Sequence, residues 1–206
     1  TRMPRPTAAE ASDRSRMIRG LVVILLGALA GCTAGPHPQA RPLFNGTDLA
    51  GWKGLVGNPI SRAKMTPEEL ATAQAKADDA MRAHWFVEDG VLIFDGKGDN
   101  LVTVEDFGDF ELWVDWKIEP RGDSGIYLRG SPQVQIWDTT KEGGKWKLGA
   151  DKGSGGLWNN SKGAPGKDPS KLMDKPLGEW NKFRIIMIGE RVTVYLNSEK
   201  VVDNVI

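Results

Sequence analysis

From Trp85 onward, apolar and polar side chains alternate in a series of short runs. Phe110, Leu112, Val114, Trp116 and Ile118 share one parity; Glu111, Trp113, Asp115 and Lys117 share the other. Side chains on a strand point to opposite faces with period 2, so each such run predicts a half-buried strand. Phe86 to Phe94 forms two runs around Glu88-Asp89-Gly90, a hairpin signal. Residues 183–187 and 192–196 flank Gly189-Glu190, and Asn197-Ser198-Glu199 turns the chain into Lys200-Val201-Val202. Between residues 122 and 138, Ile126, Leu128, Val134 and Ile136 alternate with Tyr127, Arg129, Gln133, Gln135 and Trp137. One face of that hairpin suits a core; the other displays an arginine, two amides and two aromatic rings.

Residues 66–84 break the pattern. Leu70, Ala73, Ala77, Met81 and His84 recur at helical spacing, and Thr66, Pro67 and Glu69 supply an N-cap, a first-turn proline and a capping box. His84 ends this stripe as a packing or capping residue. Residues 139–180, rich in Gly, Lys, Pro and Asn, form a long loop region around Gly155-Gly156-Leu157-Trp158. Many short strands and one helix predict an all-β fold, an antiparallel β-sandwich with an inserted helix near residues 66–84.

The N-terminal 42 residues change the domain picture. The apolar run 21–31 follows Arg19-Gly20 and ends in Leu29-Ala30-Gly31-Cys32. It is shorter than the roughly 20 residues that span a bilayer. A basic start, a short apolar stretch and small residues make a secretory signal. Its last four residues resemble the bacterial lipoprotein box, in which the cysteine is lipidated. The expectation is a leader and signal peptide over residues 1–32, a Pro-rich tether over 33–42 and one domain over 43–206. Cys32, the single cysteine, would carry the lipid. The protein would then sit in the bacterial cell envelope, held to the membrane by that anchor only. Thr1 is not an initiator and Met17 is the natural start. The other end, Asp203-Asn204-Val205-Ile206, stops in mid-pattern and reads as cut.

Composition narrows the chemistry. The whole chain balances 27 basic against 27 acidic residues, but Arg2, Arg5, Arg14, Arg16 and Arg19 face only Glu10 and Asp13 in the leader. The rest is mildly acidic and has no electrostatic footprint for nucleic acid. Gly122-Asp123-Ser124-Gly125 looks like the nucleophile segment of a serine protease, yet a triad needs an oriented histidine base, and the two histidines are His37 and His84. Asp95-Gly96-Lys97-Gly98-Asp99-Asn100 departs from a calcium loop at Lys97 and Asn100 and reads as a turn. The polar hairpin face fits a sugar better: rings stack on its apolar faces while amides and arginine bond its hydroxyls. Tyr127, Gln133, Gln135 and Trp137 join Trp113, Trp158 and Asn159 as candidate sugar-binding residues. The bland alternative is an ordinary solvated sheet face, where tyrosine and tryptophan are common.

LFNGTDLAGWKG (43–54), HWFVEDGVLIFDGKGDNLVT (84–103), DFGDFELWVDWKIEPRGDSGIYLRGSPQVQIWD (106–138), GSGGLWNN (153–160) and KPLGEWNKFRIIMIGERVTVYLNSEKVVDNV (175–205) resemble the 3-keto-disaccharide hydrolase domain family. The resemblance implies a concanavalin A-like sandwich, or jelly roll, that takes an oligosaccharide or glycoside on a sheet. It places the family's polar signature on Gly122, Asp123, Ser124, Gly125 and Ile126, with its arginine on Arg129 and its Gln–Asp pair on Gln135 and Asp138. Members usually continue to a Gln-x-His-Gly turn and a final strand, both absent here. In a 3-keto-glycoside the ketone acidifies the C2 proton, so cleavage needs a base and a holder for the enolate oxygen. Asp123 and Asp138 are the candidate bases, or ligands of a divalent metal ion, and Arg129 is the candidate electrophile. A non-catalytic carbohydrate-binding lipoprotein module is the alternative.

Overall fold

A computed structural model describes residues 22–25 and 40–206. Cys32, the tether up to residue 39 and the leader other than Val22–Leu25 lie outside the described residues. The strands among the described residues are β1 (Val22–Leu25), β2 (Trp52–Gly54), β3 (Trp85–Glu88), β4 (Val91–Phe94), β5 (Leu101–Thr103), β6 (Phe110–Ile118), β7 (Asp123–Tyr127), β8 (Gln133–Trp137), β9 (Asn181–Ile188), β10 (Arg191–Leu196) and β11 (Glu199–Val205).

They form an antiparallel sandwich. The large sheet runs β11-β10-β9-β6-β1-β4-β3; β2 pairs with β5, and β7 with β8. The period-2 pattern sets the packing: Val114, Trp116 and Ile118 of β6 and Phe183, Ile185 and Met187 of β9 face inward. They meet Leu128, Val134, Ile136 and Leu157 from the β7–β8 layer in one core. Cross-strand register Val114↔Phe183 and Leu112↔Ile185 keeps these residues on the same face. The predicted hairpin at Asp89-Gly90 closes as a two-residue turn with positive φ at both positions, 50° and 77°.

The helix spans Pro67–His84, and its capping box is formed as the sequence predicts. Met81, from its apolar stripe, joins Phe44, Trp85 and Leu92 in a second core. On its flank, Asp78 accepts a hydrogen bond from the Gly54 N–H at 2.9 Å, and Gln74 donates to the Gly54 carbonyl at 2.9 Å. Gly54 must be glycine there, since a Cβ would lie 2.1 Å from the Ala77 carbonyl oxygen. His84 closes the helix half-buried, with Nδ1 3.0 Å from Asp95 Oδ2.

Candidate functional site

The residues singled out between 122 and 138 belong to the smaller layer. Beside β8, the segment from Gly155 to Trp158 lies in strand-like register. Gln135 N–H donates to the Gly156 carbonyl at 2.9 Å, Gly155 N–H to the Gln135 carbonyl at 2.8 Å, and Trp158 N–H to the Gln133 carbonyl at 2.8 Å. Ile126, Val134, Ile136 and Leu157 point into the core, so Tyr127, Gln133, Gln135 and Trp137 point outward, as their parity requires.

Outward is not open, however. Loops from residues 139–170 fold back over this face. A Cβ on Gly156 would meet the Lys167 carbonyl oxygen at 2.5 Å, and one on Gly149 would sit 3.2 Å from Asp168 Oδ1 and 3.9 Å from the Trp137 ring. Gln135 and Trp137 are consequently only 4% and 5% exposed. Trp137 donates from Nε1 to the Gly153 carbonyl at 2.9 Å and stands edge-on to Trp158, 5.8 Å between centroids. Its ring is part of the floor, not a free stacking surface. Tyr127 stays exposed, and Trp158 is half-buried with Lys167 Nζ 3.9 Å above its ring. Asn159 accepts the Gln133 N–H at 2.8 Å, which ties its loop to the strand.

A polar chain runs along the layer and surfaces at its rim. Gln133 Nε2 donates to the Ser124 carbonyl at 3.1 Å and to Gln135 Oε1 at 3.2 Å. Gln135 Nε2 in turn donates to Asp123 Oδ1 at 2.7 Å. The other carboxylate oxygen, Asp123 Oδ2, takes the Lys145 ammonium. Gly125 leaves the space this requires, since a Cβ there would lie 2.1 Å from Gln133 Nε2. Asp123 is thus gripped from behind by a buried amide and faces solvent.

The three residues expected to do the chemistry do not gather at this rim. Asp138 follows the core parity and is 1% exposed. Its Oδ2 accepts the Arg121 N–H at 2.7 Å, and its Oδ1 accepts the Thr140 N–H at 2.8 Å and the Thr140 hydroxyl at 2.7 Å. Burial pushes this carboxyl upward, but those bonds and the charge of Lys145 outweigh it and hold Asp138 below the usual carboxylate range. It knots together the two loops that flank Asp123.

Arg129 departs further. The strand ends at Tyr127, and Arg129 and Gly130 take positive φ of 52° and 92° in the turn. The guanidinium leaves the Tyr127 face and donates to the Gly189 carbonyl in the β9–β10 turn. Arg129 is a strap between the two sheets. Trp113 is corrected too: its parity is outward, but on the large sheet, opposite Arg184 and on the far side of the core from Tyr127.

Lys145 and Trp146, on the contrary, come to the rim unforeseen. They open a 3-10 turn, Trp146–Leu148, in the Gly- and Lys-rich loop, and Trp146 keeps a half-exposed ring while donating from Nε1 to the Thr139 carbonyl at 2.9 Å. An indole and a lysine just past Asp138 were the only sequence signal. Among the described residues, no group of three or more His, Cys, Asp and Glu side chains is placed to hold a metal ion.

Known proteins share this architecture. The chain is 25% identical over 193 residues to a 3-keto-disaccharide hydrolase of Bacteroides thetaiotaomicron, covering 78% of this chain and 57% of that protein. It therefore spans little more than half the length of that relative. A solved structure of a candidate glycosyl hydrolase from Parabacteroides distasonis superposes with a TM-score of 0.51 at 23% identity, covering 79% of this chain and 63% of its own, which supports the sandwich fold. Residues 39–206 match the family model of the 3-keto-alpha-glucoside-1,2-lyase-like domain, and the chain belongs to that family.

Proposed function

We propose that this chain is a carbohydrate-active hydrolase that cleaves 3-keto-glycosides or 3-keto-disaccharides, with Asp123 as the base. The observation that carries the reading is the Asp123 carboxylate itself. It is aimed by Gln135, reachable from solvent, and borne on a domain whose family and curated relative both act, by name, on 3-keto sugars.

Cleavage proceeds by elimination. Asp123 takes the C2 proton, and the C2–H electron pair forms a C2=C3 double bond with negative charge on the C3 oxygen. That charge returns to restore the ketone, C1=C2 forms, and the C1–O bond breaks. The departing oxygen leaves with the proton held by Asp123. Water then adds, hydroxyl to C1 and proton to C2, to give the free 3-keto sugar. This route avoids the oxocarbenium-like state of two-carboxylate glycosidases and needs no second carboxylate at their spacing. Tyr127, exposed at the other end of β7 from Asp123, is a ring that a second sugar unit would meet.

The test is incubation with 3-keto-trehalose in deuterated water. Release of glucose with deuterium at C2 of the 3-keto product is the expected result. Saturable binding without release would instead mark a non-catalytic carbohydrate-binding module. Location follows the Cys32 reading: an envelope protein held by a lipid anchor.

A further inference from the structure

We infer that Lys145, not Arg129, is the cation that holds the enolate oxygen, so that Asp123 and Lys145 form a two-point clamp on the C2–H and C3 carbonyl of a 3-keto sugar. This rests on the elimination reading above. Removing a proton next to a ketone needs positive charge at the carbonyl oxygen, and that charge must stand beside the base, because the oxygen and the proton are borne on neighbouring carbons. Arg129 cannot meet this condition while it bonds the Gly189 carbonyl in a turn of the opposite sheet. Lys145 meets it, since its ammonium already contacts Asp123 Oδ2.

The pair differs from an incidental surface ion pair in how it is held. Asp123 is fixed through Oδ1 by the buried Gln135 amide. The Lys145 carbonyl accepts the Leu148 N–H at 2.9 Å and the Ala150 N–H at 3.3 Å, and Ala150 is fully buried. Asp138 ties Arg121 and Thr140, the flanks of both residues, into one unit. Both heads still face solvent, with the Lys145 side chain 24% and the Asp123 side chain 45% exposed. The neighbouring Trp146 helps fix the Lys145 turn by donating from Nε1 to the Thr139 carbonyl at 2.9 Å.

A substrate that inserts its C2–C3 edge between the two heads exchanges the ion pair for two contacts. The carboxylate meets the C2 proton and the ammonium meets the C3 oxygen. As the C2–H bond breaks, negative charge moves from Asp123 to that oxygen, where the ammonium donates a hydrogen bond to it. Lysine serves as a compact donor that can follow the shift.

The experiment compares the wild-type protein with Lys145→Met, Lys145→Arg, Asp123→Asn and the neighbouring control Lys147→Met, using 3-keto-trehalose in deuterated water. Glucose release, deuterium at C2 of recovered substrate and product, and the unfolding temperature are all read. Lys145→Met should cut both release and C2 exchange at least 100-fold, the scale expected for losing one charge-stabilising donor. KM should change far less than kcat, and the unfolding temperature should hold. Lys145→Arg should recover to within tenfold of wild type, and Lys147→Met should behave as wild type. Wild-type rates in Lys145→Met, with active wild-type enzyme, would overturn the assignment and leave the 3-keto-glycoside reading standing. If the wild-type protein neither exchanges nor releases, that reading fails and the role of Lys145 fails with it.

Discussion

Asp138→Asn separates a residue that positions the site from one that reacts in it. The carboxylate receives three hydrogen bonds, from Arg121 N–H, Thr140 N–H and the Thr140 hydroxyl, at 2.7, 2.8 and 2.7 Å. An asparagine of the same shape keeps one acceptor oxygen but turns an NH2 toward a donor on the other side. One buried bond to a charged acceptor is lost, and a donor is left facing a donor. Each such bond to a charged group is worth about 1.5–3 kcal/mol. Part of the loss is offset because an amide costs less to bury than a carboxylate. The net expectation is a destabilisation of about 1–3 kcal/mol at pH 7, read from guanidinium unfolding. The folded state holds this carboxyl below the usual range, so its contribution is present above the unfolded value of 3.8 and is lost as pH falls through the lower folded value. The gap between wild type and mutant should therefore shrink below pH 4. Equal stability at pH 7 would refute the account of Asp138 as the knot between the Asp123 and Lys145 loops.

Leu128→Ala should cost about 2–5 kcal/mol of stability, because this side chain is fully enclosed in the main core; a loss under 1 kcal/mol in urea unfolding would contradict that packing. Arg129→Ala should lower stability by only about 0.5–1.5 kcal/mol, the scale of one intramolecular hydrogen bond, and leave turnover within threefold; Arg129→Gly should be the milder change, since φ of 52° suits glycine. A turnover collapse at unchanged stability would return the arginine to the site. Burial raises the Asp174 carboxyl, outweighing the opposing hydrogen bonds from Ser154 and from its own backbone N–H. The native state thus binds the proton more tightly than the unfolded chain, and stability should fall as pH rises from 3.8 to the raised value. Asp174→Asn should flatten that slope in melts run from pH 3.5 to pH 8. Cys32→Ser should shift the protein from the membrane fraction to the soluble one; unchanged fractionation would end the lipid-anchor reading.

The sandwich was legible because alternation acts along each strand by itself. The inward sets of β6 and β9, and the buried Leu128, follow from parity without any knowledge of neighbours. The site was legible only in part, for three physical reasons. Parity names a face but not a sheet, so Trp113 and Tyr127 look alike in sequence and end on opposite sides of the core. Parity also fails where a strand stops, and the turn beginning after Tyr127 swings Arg129 away. Finally, whether an outward face meets water depends on chain far from it. The loops over Gly149 and Gly156 bury Gln135 and Trp137, and they carry in Lys145 with no periodic signal of their own. The β2–β5 pair, three residues a side, was too short to register as alternation at all.

β1 has a consequence for the order of events in the cell. Its four residues come from the apolar run that reads as an export signal, yet they pair with β4 on one side and β6 on the other, in the middle of the large sheet. A backbone segment cannot hydrogen-bond to two neighbouring strands and lie in a secretion channel at once. If that run is the export signal, a folded precursor would conceal its own address, and only a chain still unfolded would display it. Cleavage ahead of Cys32 would then be irreversible in a structural sense: it removes the strand that bridges β4 to β6 and leaves two facing rows of backbone donors and acceptors. Export before folding, and the loss of any route back to the precursor's sheet, would be written into the same four residues.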